Sequence, residues 1–259
     1  MGFYDQLIAG VPVQKKVDRC FVGRGWTAVS AGEGLADEGL GLALSFHEST
    51  PEIAEIEQRT PLTGSPLAKA ADLARSWGLV EAGIGVAALN AHYNSRAEVE
   101  SWTGCCLDEL ESETSFTAMR EELRGKKVGV IGHFPDIEQL SEICTLSIFE
   151  RRPQPGDLPD FAVEYLLPEQ DYVFITGATL VNKTMPRLLE LSRNACVTLT
   201  GPSVPLTPKF FDWGVDVLAG TVVLDLEGAW RTAAKGGIKR RSIWRHGAKA
   251  VQMRAEDFR

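Results

Sequence analysis

The sequence predicts an α/β protein with two parts: an N-terminal α+β domain over residues 1–123 and a Rossmann-like, doubly wound parallel sheet over residues 124–259. Three observations carry this reading. From Lys126 onward, short apolar runs alternate strictly with helix-like segments, the pattern of a parallel sheet covered on both faces. The first third instead has β-rich runs followed by two helical ones. Between them lies a polar, charged stretch from Trp102 to Lys127, which places the junction near Arg124.

Taken in order, CFVGRGWTAVS and LGLALSF read as a strand pair separated by the turn-prone AGEGLADEG. SPLAKAADLARSWG opens a helix with Ser65 before Pro66 and stops it at Gly78. LVEAGIGVAALNAHYNS continues as a second helix, apolar enough to be buried. In the second half KKVGVIG, CTLSIFE, DYVFITG, ACVTLTG and VDVLAG read as five strands. The segment opening at Pro135, then DFAVEYLL, PRLLELS, KFFDWG and GAWRTAAK, read as the helices between and after them. Right-handed crossovers then make a doubly wound sheet the first choice.

Composition narrows the function. With 259 residues, 44% hydrophobic, the chain can bury a sizeable core, and its formal charge of −8 argues against nucleic acid or an anionic membrane as partner. No stretch approaches the ~20 apolar residues of a membrane span, and the start has no signal-peptide pattern. Five cysteines, none in a CxxC pair, read as reduced thiols of a cytoplasmic protein, with Cys144 and Cys196 as small core residues. A structural zinc site of the usual spacing is not expected.

Ligands of open parallel sheets bind beyond the carboxyl ends of the strands. Three successive strand ends here carry a hydroxyl beside a glycine: Thr176–Gly177, Thr200–Gly201 and Gly220–Thr221. Glycine permits close approach of a ligand to the backbone, and threonine both donates and accepts. In the loop GATLVNKTMP, Thr184 suits a helix cap before Pro186, which leaves Asn182 as the ligand-contact candidate. The loop GPSVPLTP is stiffened by Pro202, Pro205 and Pro208, and Ser203 within it is either a ligand contact or a turn hydroxyl. The first parallel strand has Gly129 and Gly132 but lacks the third glycine of a dinucleotide fingerprint. Glu150 stands where a ribose-binding acid would, followed by Arg151 and Arg152. His133, where the first strand meets its helix, suits an acid/base, a metal ligand or a hydrogen-bonding surface residue; His47, His92 and His246 read as the last of these. The run from Arg231 to Lys249 has seven basic residues and no acid, and reads as a solvated face or an attractor of anions. Spacing alone assembles neither a nucleophile–base pair nor a metal triad.

The segments ERRPQPGDLPDFAVEYLLPEQDYVFITGATLVNKTMPRLLEL and LTGPSVPLTPKFFDWGVDVLAGTVV, with VGRGWTAVSAGEG nearer the start, resemble the family described as "putative heavy-metal chelation", a domain of unknown function. The resemblance implies an enolase-N-terminal-like domain joined to a Rossmann-like domain, with a site between them that handles a metal or a metal chelate. It implies a site drawing on Thr176, Gly177, Asn182, Gly201, Ser203 and Glu150, with Glu33 and Asn90 from the first domain. The sequence has no dense Cys/His cluster, so an organic ligand that itself carries the metal suits it better than a bare ion. The expected function is therefore a small-molecule-binding protein or enzyme with an interdomain site for a metal chelate or its precursor. The alternatives are a nucleotide-dependent enzyme using NAD(P) or S-adenosylmethionine, and a noncatalytic assembly protein. Whether the chain catalyses a reaction or forms a homo-oligomer is left open.

Overall fold

The computed structural model describes residues 2–23, 25–32, 38–46, 62–109, 112–135, 137–234 and 247–257. Glu33, His47, His246 and the basic residues from Lys235 to Arg245 lie outside them. Helix α1 (Phe3–Ala9) leads into an antiparallel meander of β1 (Val17–Val22), β2 (Trp26–Ala31) and β3 (Gly39–Leu44). The expected strand pair is thus three strands, because CFVGRGWTAVS itself turns at Gly23 and returns. Helices α2 (Leu67–Asp72), α3 (Leu79–Tyr93) and α4 (Arg96–Thr103) follow.

Helix α3 is the axis of the molecule. Every residue from Ala82 to Tyr93 is buried, which requires small side chains wherever another backbone runs alongside. Gly41 of β3 makes this concrete: a Cβ placed there would lie 1.9 Å from the Ala87 carbonyl oxygen and 2.2 Å from the Ala91 nitrogen. The helix therefore rests on the strand backbone itself, and the GLGLAL sequence of β3 is what allows it.

The larger sheet contains β4 (Lys127–Ile131), β5 (Thr145–Glu150), β6 (Leu158–Pro159), β7 (Tyr172–Thr176), β8 (Cys196–Thr200), β9 (Val217–Val223) and β10 (Ala248–Arg254). Its order is β10-β9-β8-β7-β4-β5-β6, parallel throughout except for antiparallel β10 on β9. This is a doubly wound sheet whose order reverses between β4 and β7, the position at which such sheets bind ligands. Two strands, β6 and β10, are additional to the five expected.

The connections are shorter than expected. The segment after β4 is a 3-10 turn at Ile137–Glu142, and KFFDWG forms another at Pro208–Trp213. DFAVEYLL is broken into a 3-10 turn at Asp160–Ala162 and the single helical turn α6 (Val163–Leu166), following α5 (Ser115–Ala118) in chain order. Helices α7 (Ala178–Val181) and α8 (Met185–Leu191) follow β7, and α9 (Leu226–Ala234) follows β9. None of the helices among the described residues is long and apolar enough to cross a membrane.

Alternation along the strands sends side chains to opposite faces. Val128, Val130 and Phe174 pack on one face with Met119 and Leu123. The sequence reading gives those last two residues to the first domain, whereas their packing is with the large sheet. On the other face Val173, Ile175 and Leu199 belong to one cluster that continues into Leu7, Ile84 and Leu89. The two lobes therefore share a core. In addition, α9 returns to the first lobe, where Ala229 packs with Trp26, Ala28 and Leu42 on the meander.

Candidate functional site

A cleft of about 1780 Å³ lies along the C-terminal edge of the large sheet, bounded on one side by Trp26, Leu44 and Phe46 of the first lobe. It extends from β9 and β10 across the switch point to the segment after β5. The turns that open it depend on glycine: Gly132 (φ 97°) ends β4 and Gly201 (φ 104°) ends β8, a backbone region that only glycine enters without strain.

The floor carries hydroxyls. Thr176 and Thr200 are register partners on β7 and β8, and both line the cleft. Thr200 Oγ1 lies 3.0 Å from Ser115 Oγ. Thr221 also lines the cleft, but it stands within β9 rather than at a strand end, since β9 continues to Val223. Its hydroxyl is buried with no hydrogen-bond partner among the described residues. Phe116 and Phe134, in contact at 5.1 Å between ring centroids, form an apolar wall.

The expected residues separate into two groups. Thr176, Gly201, Asn182, Glu150, His133 and Ser203 all line the cleft. Gly177 and Asn90 belong instead to the seam between the lobes. A Cβ on Gly177 would lie 2.5 Å from the Ser203 carbonyl carbon, so this glycine admits the 201–207 loop against β7. The Asn90 amide donates to the carbonyls of Leu42 at 2.7 Å and Pro202 at 3.3 Å, while its oxygen is buried without a partner among the described residues. Glu33 lies outside the described residues.

Several lining residues also hold the backbone. Asn182, read as free for a ligand, accepts from Thr184 N at 3.2 Å and from Thr184 Oγ1 at 2.7 Å, an Asx turn. Thr184 occupies the cap position of α8 but makes no side-chain cap bond. Ser203, from the sequence either a ligand contact or a turn hydroxyl, is buried and accepts the Leu44 backbone N–H across the seam at 2.9 Å. The Glu150 carboxylate accepts from the backbone nitrogens of His133 at 2.9 Å, Arg151 at 2.8 Å and Arg152 at 3.3 Å. It clamps the β4 and β5 ends together, which leaves little of it for a ribose.

His133 is held between two acids. Its Nδ1 lies 3.0 Å from a carboxylate oxygen of Asp157, whose side chain is only 2% exposed, and its Nε2 lies 3.0 Å from Glu138, which is 63% exposed. A buried acid on one ring nitrogen and a movable one on the other is an arrangement that orients an imidazole. At the rim, Arg187 pairs with Glu164 through two bonds of 3.0 and 2.5 Å and with Glu190 at 2.7 Å. These carboxylates raise the Arg187 guanidinium, and Arg187 holds the Glu164 carboxyl below its usual range.

Lys183, inside the TGATLVNKT segment, faces the seam. It has a positive φ of 70°, donates to the Ala74 carbonyl and lies 4.6 Å from the centroid of the Tyr4 ring. Burial lowers its ammonium to about 8.

Sequence reasoning missed Trp26, Asp157 and Asn94. Nothing local marks Asp157 or Trp26. Asn94 lies buried just past the end of α3, where a polar residue at a helix terminus ordinarily meets water.

Fold and cleft define a two-lobed α/β protein whose doubly wound sheet opens, at its switch point, towards the smaller lobe. The chain belongs to the DUF364 family, described as "putative heavy-metal chelation", which it matches over residues 115–251. Residues 4–93 match the DUF4213 family, which bears the same description. A crystal structure of a DUF364 protein of unknown function from Desulfitobacterium hafniense is similar at a TM-score of 0.83 and 39% identity, covering 97% of both chains. A second, from Pyrococcus horikoshii, has a TM-score of 0.75 at 20% identity over 97% of both chains, a likeness of fold alone. An uncharacterized protein of Methanocaldococcus jannaschii is 33% identical over 171 residues, 61% of each chain. The chain thus spans about three fifths of the length of that curated relative.

Proposed function

We propose that this protein binds a small organic ligand, one able to carry a metal ion, in the cleft between its lobes. The observation that carries the reading is the cleft's place and lining. It opens at the switch point, its floor is made of threonine hydroxyls and glycine turns, and it is walled by both lobes. Concave sites with an apolar wall and a few convergent polar groups are where small molecules bind.

The donor chemistry favours a chelate over a bare ion. Among the described residues, no three His, Cys, Asp or Glu side chains converge on a point that would hold a metal, and no cysteine lines the cleft. Soft metals take thiolate and imidazole donors in clusters. A chelator brings its own donors and asks the protein only for hydrogen bonds and shape. The dinucleotide alternative is less well supported. After β4 the chain enters a 3-10 turn rather than the long helix whose N-terminus would receive a pyrophosphate.

Equilibrium dialysis tests this with two probes, zinc chloride and zinc nitrilotriacetate, followed by elemental analysis and mass spectrometry of the retained chelator. The expected result is zinc and nitrilotriacetate retained together at one per chain, with retention weakened by Thr200→Val. Stoichiometric zinc without chelator would overturn the reading, as would retention of neither.

A further inference from the structure

The cleft does not end at the switch point. Towards β9 it is lined by Gly25, Trp26, Leu44, Ala219, Thr221 and Val251, none of them charged. Two of these residues are more than nine-tenths buried, Trp26 at 5% exposure and Thr221 at 3%. Each carries a polar atom that has no hydrogen-bond partner among the described residues: the indole Nε1 and the hydroxyl Oγ1.

The two orphans come from different lobes, and both residues line this end of the cleft. Trp26 opens β2 and packs with Val223 and Ala248, which pair across β9 and β10. Thr221 is two residues before Val223 on β9, and its own partner is Ala250. Its backbone is fixed independently, because its carbonyl accepts the Asn94 amide at 3.2 Å. The hydroxyl therefore has no share in the work of holding the strand.

An unpaired buried donor is unfavourable by about 1–3 kcal/mol. Native structures rarely keep such groups without a functional or solvent partner. Two of them beside one ligand-sized cleft are explained together by a ligand group that accepts from both. An indole N–H can only donate, and a threonine hydroxyl can donate as well. A charged acceptor is disfavoured, because a carboxylate brought here would leave water without meeting a cation.

We propose that Trp26 and Thr221 form a subsite at the β9 end of the cleft that takes an uncharged, oxygen-bearing part of the ligand, a carboxamide or ketone, by donating hydrogen bonds to it. The subsite rests on the cleft being a ligand site, and it adds a class of ligand group that a chelate alone does not specify.

The test uses the full chain labelled with 15N and two isosteric probes, benzamide and benzoate. The indole N–H resonance of Trp26 is assigned by its loss in Trp26→Phe, against the other five of the six tryptophans. Benzamide is expected to displace this resonance saturably. Thr221→Val is expected to weaken that binding roughly 5- to 150-fold, the range set by one buried hydrogen bond, while leaving the melting temperature unchanged or raised. Benzoate is expected to bind at least tenfold more weakly than benzamide. Four results overturn the subsite: an unmoved Trp26 resonance, equal binding of benzoate, undiminished binding in Thr221→Val, or a melting temperature lowered by that substitution. The backbone resonances of Thr176 and Gly201 separate this failure from a wider one. If either probe shifts them while Trp26 is unmoved, the cleft still binds ligands and only the subsite is lost. If no cleft resonance responds to zinc nitrilotriacetate or to either probe, the cleft reading fails as well.

Discussion

The side-chain oxygen of Asn94 accepts the backbone N–H of Leu206 at 2.8 Å, joining the end of the central helix to a loop 112 positions later in the chain. The nitrogen of the same amide donates to the carbonyls of Val204 at 2.8 Å and Thr221 at 3.2 Å. One buried amide thus satisfies three backbone groups of the second lobe, and the cleft's inner wall depends on it.

Replacing Asn94 by alanine would strip all three groups of their partner in a site closed to bulk water. With ~1–3 kcal/mol for a buried unsatisfied group, and partial relief by an entering water, the expected loss is about 3 kcal/mol or more. Thermal unfolding followed by circular dichroism should show a drop of about 6–12 °C, at ~2–4 °C per kcal/mol for a chain of this size. A drop below 2 °C would show that the amide is not the tie described.

Ser203→Ala removes a single acceptor, the one that takes the Leu44 N–H across the seam. A loss of ~1–3 kcal/mol is expected, measurable by chemical denaturation. Thr176→Val should change stability less. Its hydroxyl makes one weak bond of 3.4 Å to Ala178 N, and the residue is only half-buried. Equal stabilities for the two variants would contradict the geometry.

Gly41→Ala should be among the most damaging single changes in the chain. The added methyl would meet backbone atoms of α3 at 1.9 and 2.2 Å, and neither helix nor strand can yield without opening the core. A loss above ~4 kcal/mol is expected, within the exceptional class for point changes, visible as insoluble expression. Gly64→Ala is the control: its φ of 78° strains a side chain, but nothing lies within 4 Å of the new methyl, and a loss of about 1 kcal/mol should leave it folded.

Lys183 should make stability depend on pH. Burial lowers its ammonium from 10.5 to about 8. Between those values the unfolded chain holds a proton that the folded chain has released, so this residue makes stability rise with pH across the window. The Cys196 thiol, raised by burial to about 11, acts in the opposite sense between 9 and 11, as do the Cys144 thiol and the Tyr4 and Tyr93 phenols that burial also raises, so the whole-protein slope mixes opposing contributions. The comparison with Lys183→Met isolates the lysine. The wild type should gain on the variant in melting temperature as pH rises from 7.5 to 10. A constant or shrinking advantage would refute the lowered ammonium.

The parallel strands were legible because burial on both faces makes them uniformly apolar, as in DYVFITG and ACVTLTG. Strand β10 was not. As an edge strand it alternates, with Val251 and Met253 buried between partly exposed neighbours, and it follows directly on the basic run. The switch-point edge was also legible, since Thr176, Gly201 and His133 do line the cleft. What the sequence concealed was which of its polar residues already had partners. The pairing of Asn182 with Thr184 is a two-residue Asx spacing and was open to reading. The pairing of Ser203 with Leu44, 159 positions apart, was not, because prolines in a loop suggest solvent, whereas the segment from Ser203 to Thr207 is buried.

The return of α9 to the meander has a consequence for the order of synthesis. Trp26 and Ala28 emerge from the ribosome early, yet Ala229, which covers them, follows roughly 200 residues later. At ~5–20 residues per second, that face of the first sheet waits about 10–40 s for its cover. The nascent N-terminal lobe is therefore an incomplete body with one apolar side bare, and a truncation before Leu226 should leave a chain that associates with itself or with chaperones rather than a smaller folded unit.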